Sequence, residues 1–598
     1  MLFGPVLARE VVITPRRSRI YIARTVYVSA LLLLTATAWL VLTGTQLVRD
    51  VGDVARFGTI LFQILAPLQL AIAVFFSAML ATSSVAQEKD RRTLVLLLLT
   101  SLSNSELVLG KLLASLLQML VMLAAGLPLF MMATLFGGIS FPQIARVIAV
   151  TAASMIVCGS LGSTLALWRE KTFQAIAMTV LILVLWLAMG ELIAAGMLGA
   201  TLAGVPAAVW GVALSPWQAI LEAARPYAQS QPLAGPLGSP VYLFLVVAAV
   251  IALVLDSLAV VRVRAWNASR EDRPLSREER SPAVPYAVRG GVAVAVLPND
   301  GGRTAEVAGS TRRVWDNPVL WREVRTWAYG RRILLIRAVY FGLFALAAAN
   351  LHWMMRGGQP LSLAQSALAL LPLMLLSLVL VNAQAVTSLT AERDGRALDL
   401  LLVTDLTPKE VVFGKLGGII YNTKEMILLP LLLCGYLGFC RAISPENMIY
   451  ILMGLVVLFI FVAVLGIHTG MIYERSGIAI ATSVGTVFFL FLGVATCMRM
   501  MVAFSGSFNA QLQPFLAFMV GGGLGLYVAL GARNPSAAIG LASFMCPFAT
   551  FYAITSFLLG YTLNVLLVVA AAYGFTTAAM LIPAIYEFDV ATGRTTAD

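Results

Sequence analysis

Apolar residues run along this chain in stretches long enough to cross about 30 Å of hydrocarbon at about 1.5 Å per helical residue. They fall at 25–46, 60–86, 107–136, 143–168, 173–199 and 240–262, and again at 333–354, 364–390, 411–439, 447–472, 478–503 and 561–585. The pattern predicts an all-α polytopic membrane protein with twelve transmembrane helices, six and six. A further run at 514–531 reads either as a thirteenth crossing or as a re-entrant or peripheral helix, and the second keeps the two sets alike. Before the last run of each set, Leu214-Ser215-Pro216-Trp217 and Met545-Cys546-Pro547-Phe548 each read as the start of a short helix dipping into the outer leaflet.

Polar positions repeat as well. Glu88 to Lys111, EKDRRTLVLLLLTSLSNSELVLGK, returns without a gap as Glu392 to Lys415, ERDGRALDLLLVTDLTPKEVVFGK, and 13 of the 24 positions are identical at an offset of 304. Leucines are cheap matches in so apolar a chain; Glu88/Glu392, Asp90/Asp394, Arg92/Arg396, Thr100/Thr404, Glu106/Glu410 and Lys111/Lys415 are not. Ahead of each set lies a short segment with proline near its start, Pro5 to Val12 and Pro318 to Tyr329, which matches at an offset of 313 and includes Arg9/Arg322 and Glu10/Glu323. In the second, Leu320, Val324 and Trp327 share a face, as in a helix lying at the membrane interface. The offsets differ by nine (313 − 304), so the first set carries extra residues, most simply in an outer loop around Arg49 to Arg56. A period of about 300 residues is too long for a solenoid unit and reads as a parallel duplication: a first six-span domain at 1–264, a polar, proline- and glycine-rich linker at 265–315 and a second six-span domain at 316–598.

Composition agrees with lipid as the solvent. The 598 residues are 60% hydrophobic and 12% charged, half the usual charged share. A net charge of +12 alone would suit nucleic acid, but the arginines flank apolar runs. Arg16, Arg17, Arg19 and Arg24; Lys89, Arg91 and Arg92; Arg169 and Lys171; Arg262 and Arg264; Arg331 and Arg332; Arg393 and Arg396; and Arg475 all fall on one side if each run crosses once. By the positive-inside rule that side is the cytoplasm, and both termini lie there. The basic N-terminus precedes a membrane-length run without a convincing cleavage site. Five cysteines without metal spacing and two histidines predict no disulfide framework, metal site or catalytic centre. No glycine-rich loop ending in Gly-Lys-Ser/Thr is present, so ATP, if it drives the protein, binds elsewhere.

The lead helix, two spans, the segment Glu-x-Asp-x-Arg-x-Leu-x-Leu-Leu-Leu-x-Thr-x-Leu-x-x-x-Glu-x-x-x-Gly-Lys, and four spans with an outer helix before the last resemble the permease subunit of ABC type-2 exporters, in two tandem copies. The resemblance implies that 88–105 and 392–409 contain coupling helices that dock on a separate ATPase, in two copies, which holds ATP and magnesium. It further implies export across the cytoplasmic (inner) membrane, with no cofactor bound by this chain. On that basis Glu88, Asp90, Arg92, Thr100, Glu106, Glu392, Asp394, Arg396, Thr404 and Glu410 are candidate ATPase-coupling residues, and Arg9, Glu10, Arg322 and Glu323 belong to the interfacial helices. A short leucine-rich run between charges suits an interfacial helix that turns its polar end to a soluble partner. Gly110 and Gly414 allow close backbone approach there, and Lys111 and Lys415 are placed to snorkel to headgroups. The copies differ at Arg91/Gly395, Val95/Asp399 and Asn104-Ser105/Pro408-Lys409.

Glu191, Asp256, Lys424, Glu425 and His468 fall at membrane depth, where a charge costs several kcal/mol unless paired or neutralised. Each is a candidate substrate or proton-relay group, or else an interhelical hydrogen bond or a boundary position. Lys424 and Glu425 are adjacent, so they point about 100° apart on a helix. An ion- or proton-coupled secondary transporter and a membrane-embedded assembly scaffold are the alternative functions. Reporter fusions after Thr100 and after Thr404 are expected to score on the same, cytoplasmic side; opposite sides would refute the parallel duplication.

Overall fold

A computed structural model describes residues 5–13, 18–45, 51–197, 199, 201–202, 204–226, 239–267, 286–289, 292–295, 315–325, 333–356, 363–395, 397–398, 404–441, 443–503, 508–533, 535–586 and 588. The helices of the first set are α1 (Pro5–Ile13), α2 (Ser18–Thr45), α3 (Val51–Asp90), α4 (Thr93–Leu98), α5 (Asn104–Ala133), α6 (Phe141–Trp168), α7 (Thr172–Ala194), α8 (Ala207–Leu214), α9 (Pro216–Ala223) and α10 (Pro240–Trp266). Those of the second are α11 (Pro318–Arg325), α12 (Ile333–Arg356), α13 (Leu363–Asp394), α14 (Pro408–Asn422), α15 (Lys424–Phe439), α16 (Pro445–Ile472), α17 (Ser476–Phe488), α18 (Val494–Ala503), α19 (Phe508–Leu530), α20 (Ala537–Leu558) and α21 (Thr562–Tyr586). Five residues of π-helix, Phe489–Gly493, join α17 to α18. Within the linker, Tyr286–Arg289 and Val292–Ala295 pair as an antiparallel hairpin.

Among the described residues eleven helices are long and apolar enough to cross a membrane, or twelve when α14 and α15 count as one span bent by 59°. The chain is therefore an all-α, multi-pass membrane protein. Helix starts follow local chemistry. Ser103 and Glu106 cap α5 reciprocally, Thr407 and Glu410 do the same for α14, and Ser444 with Pro445 opens α16. Each cap satisfies amide N–H groups that the first turn leaves without partners.

Three expectations change. The extra length of the first set is helical rather than loop: α3 begins at Val51 and has 40 residues, against 32 in α13. The run at 411–439 is not one straight helix but breaks at Thr423, whose hydroxyl donates back to Ile419 O. At the outer segments the sets part company. Ser215 caps α9 with Pro216 at its first position, as expected, whereas Met545–Phe548 lies inside α20 with Pro547 internal. In hydrocarbon an unpaired backbone group costs several kcal/mol, so a long apolar helix runs through one proline rather than ending at it. With that, α20 is itself long enough to span, and α19 packs against α2 and α20.

Close helix pairing organises each set. The position of a Cβ on Gly162 of α6 falls 2.5 Å from Thr82 Oγ1 and 2.7 Å from Ala78 O of α3. Gly466 of α16, 304 residues on, stands 2.8 Å from both Asn382 O and Val386 N of α13 by the same construction. The sets meet along a seam. Phe75 of α3 stacks on Phe488 of α17 at 4.7 Å, and Met79, Phe173 and Ile176 share a buried cluster with Leu380, Val386 and Val484. Gly466→Leu is expected to lower the thermal unfolding midpoint of the purified protein markedly, because overpacking against backbone costs about 1–3 kcal/mol or more. Gly454→Ala, on the same helix with nothing within 4 Å of its Cβ position, is the control expected not to lower it, and to raise it slightly through helix propensity.

Candidate functional site: the paired charged segments

At the end of α3 every charged side chain is tied down. Lys89 Nζ donates to Leu167 O and, at 3.0 Å, to Arg169 O, the carbonyl end of α6. Asp90 accepts the Thr172 hydroxyl at the amide end of α7, and Glu88 pairs with Lys111 of α5. A cation at a helix C-terminus and a carboxylate at an N-terminus both complement the helix dipole. The same contacts recur 304 residues later. Arg393 donates to Tyr473 O and, at 3.0 Å, to Met471 O; Asp394 accepts the Ser476 hydroxyl; Lys415 Nζ donates to Glu392 Oε1 at 2.7 Å. Each α3-like helix end is thereby fastened to the turn between the helices that follow.

Lys415 is 2% exposed and donates also to Glu323 Oε1 at 2.6 Å, while Arg322 pairs with Glu392. Lys111 is 8% exposed. Neither lysine snorkels to headgroups as the sequence suggested, because carboxylates at their ammonium groups hold them inside the protein. This is possible because α11 lies on α14 rather than free at the interface: Gly418 brings its backbone to 2.6 Å, Cβ position to Cβ, from Glu323, and Asn317 Nδ2 donates to Glu410 O at 2.9 Å. The buried face of α11 is accordingly Val319 and Glu323, one residue round from the Leu320 and Val324 stripe. Helix α1 packs on α5, with Arg9 exposed; the side chain of Glu10 lies outside the described residues.

After Asp90 the chain turns sharply at Arg92, which has φ 59°, and α4 follows. Leu94 is buried, whereas Leu96 and Leu99 are 63% and 79% exposed. Thr100 donates to Leu97 O, closing the end of α4. Arg264 at the end of α10 clamps the return strand: its guanidinium donates to Asn104 Oδ1 at 2.7 Å and to Leu98 O and Leu102 O at 3.3 Å. Asn104 Nδ2 in turn donates to Val260 O at 3.1 Å. Sequence reasoning read Arg264 only as a topology charge. The second copy gave no hint of the clamp, since Tyr586 ends α21 and takes Lys409 over its ring at 5.7 Å. Glu106 and Glu410 are held by their capping bonds to Ser103 and Thr407. Thr404 is exposed; Arg396 and residues 399–403 lie outside the described residues.

The two segments come together. Arg91 Nε and Nη2 both lie 3.0 Å from Asp394 Oδ1, so the ends of α3 and α13 touch at one end of the bundle. The five candidates at membrane depth do not converge. Glu191 is exposed at the end of α7, where it accepts from Gln218 Nε2 at 2.9 Å. Asp256 is half-buried on α10. Lys424 lies over Tyr421 at 4.6 Å while Glu425 faces Arg337 at 3.3 Å, the divergence that their adjacency predicts. His468 is buried with Nε2 3.0 Å from Leu530 O. Among the described residues no group of three or more His, Cys, Asp or Glu is arranged to hold a metal ion. A cleft of about 430 Å³ between α12 and α15 is lined by Phe344, Ala348, Leu432 and the hydrogen-bonded pair His352 and Tyr436.

No protein-family model and no curated protein sequence matches this chain. Lys415→Met is expected to destabilise the protein by about 1–3 kcal/mol, since it removes the buried cation from Glu323 and Glu392 and leaves the half-exposed Arg322 as their remaining partner. Adding Glu323→Gln and Glu392→Gln to Lys415→Met should recover part of that loss in chemical unfolding.

Proposed function

We propose that this chain is the membrane-spanning permease of an ABC-type exporter, with both halves on one polypeptide and ATP hydrolysed by two copies of a separate subunit. The carrying observation is the Arg91–Asp394 contact, which sets the two copies of the charged segment side by side at one end of the bundle. A partner approaching that end meets both segments. In the first, α4 offers Leu96 and Leu99 on a mount fixed by Arg264 and by the ties of Lys89 and Asp90. In this reading 93–99 and the matching 397–403 are the parts of the two charged segments that dock on the ATPase, the docking end faces the cytoplasm, and the membrane is the cytoplasmic one. Glu88, Asp90, Glu392 and Asp394 position the segments. They do not touch the ATPase themselves, because their carboxylates are engaged by Lys111, Thr172, Lys415 and Ser476.

Force follows the same bonds. Closure of the nucleotide-bound partner would push on α4, and the push passes through Arg264 to α10 and through Arg92 to α3 and the α6–α7 turn. The ties of Arg393 and Asp394 would carry a push on the second segment to α13 and the α16–α17 turn, without a clamp like Arg264, and let the two halves rock about their seam and admit cargo between them.

An ion-coupled transporter is the second reading. It is favoured by the break between α14 and α15, where Glu425 faces Arg337, since secondary transporters build their sites on discontinuous helices. Capture separates the two. The tagged full chain is expected to retain an ATPase carrying a Walker lysine when the two are co-expressed, to show no ATP hydrolysis by itself, and to lose the partner on Leu96→Asp with Leu99→Asp. Hydrolysis by the purified chain alone, or solute uptake driven by an ion gradient without any ATPase, would refute the permease reading.

A further inference from the structure

The repeat brings like charges together. Asp90 and Asp394 occupy matching positions, each bound by a hydroxyl of its own half, Thr172 and Ser476, and Asp90 lies within electrostatic reach of Asp394. Two carboxylates within such reach repel, more so where the surroundings are poorly hydrated. The side chain of Asp394 is 1% exposed. An arginine bridges it from the other half, through Nε and Nη2 at 3.0 Å, and this arginine has no counterpart: the residue 304 positions after Arg91 is Gly395. A symmetric pair of segments thus carries an asymmetric bolt.

We propose that Arg91 is a latch that holds the two halves closed at the α4 end, and that its release from Asp394 lets the seam between α3 and α17 open.

Three features fit a contact made to be broken. Arg91 is 47% exposed, so its guanidinium regains water on leaving, unlike Lys415 at 2%. The seam beneath it is uncharged and made of small or flat groups: Ser83 Oγ lies 3.5 Å from the Cβ position of Gly477, Phe76 lies 3.4 Å from that of Gly485, and Phe75 stacks on Phe488. Those contacts break no ion pair, and Asp394 keeps the Ser476 hydroxyl when Arg91 leaves. Finally, Arg91 sits one residue before the left-handed turn at Arg92 and two before α4. A pull on α4 therefore reaches the latch through two residues of backbone. This last link rests on the docking role proposed above; the latch itself does not.

The test uses the full chain alone in lipid nanodiscs, open to both faces, with Cys440→Ser removing the exposed native thiol and Ser83→Cys reporting on the seam. The label is a water-soluble maleimide, and the same chain without Ser83→Cys gives the background. With Arg91 intact labelling is expected to be slow. Arg91→Ala and Asp394→Asn should each speed it by about threefold or more, the range of a half-exposed ion pair, and Arg91→Lys should return it to the slow rate. Thermal unfolding and gel filtration confirm that each variant is folded. Labelling unchanged by Arg91→Ala in a folded protein, or raised as much by Arg91→Lys, would overturn the latch. Because no ATPase is present, either result leaves the capture experiment independent, and failed capture leaves the latch standing.

Discussion

A charge at the end of a membrane helix has few places to go. Water lies on one side and hydrocarbon on the other, and a side chain turned toward the protein must meet its complement there or carry a desolvation cost of several kcal/mol. In this chain that constraint fixes the frame. Lys89 and Arg393 meet the free carbonyls at the ends of α6 and α16, and Asp90 and Asp394 meet hydroxyls at the starts of α7 and α17. Lys111 and Lys415 meet Glu88 and Glu392. Every one of these links joins residues that are close in space and 23 to 82 positions apart in sequence. Together they convert several apolar rods, which lipid alone would allow to slide, into a block with one defined polar end.

What stands on that end depends on its rigidity. A six-residue helix cannot hold itself together in water, since nucleation costs more than so few hydrogen bonds return. Helix α4 persists because Leu94 is buried beneath it, Arg264 fastens the strand behind it and the turn at Arg92 directs the chain into it. Its apolar residues Leu96 and Leu99 are left uncovered on a fixed support. That combination makes the segment stiff, because a clamped element passes on a displacement that a flexible loop absorbs.

The two halves share the frame and differ in what is built around it. Arg264 clamps the first segment, while Tyr586 receives Lys409 in the second. The span that is continuous as α5 is broken between α14 and α15, and the outer pair α8 and α9 contrasts with the long helices α19 and α20. Matching positions are those where a charge must be satisfied within the protein. Divergent ones include the break between α14 and α15, the pair α8 and α9, and the exposed turn at α4, where more than one residue type satisfies the physics.

The sequence by itself determined that this is a multi-pass helical membrane protein, roughly where its helices lie, and that one charged segment occurs twice. Those properties follow from local quantities, the length of an apolar run and the spacing of charges, that need no knowledge of neighbours. The Ser103-Glu106 and Thr407-Glu410 caps act over only three residues, yet Glu106 and Glu410 read from the sequence as docking candidates and not as caps. Only the tertiary structure decided that Lys111 and Lys415 turn inward, that Arg264 reaches back 160 residues to Asn104, that Pro547 leaves α20 unbroken, and that Arg91 crosses to Asp394. Each of these depends on which helix lies alongside, and a hydrophobic pattern in lipid, where all apolar faces are equivalent to the solvent, does not specify the neighbour.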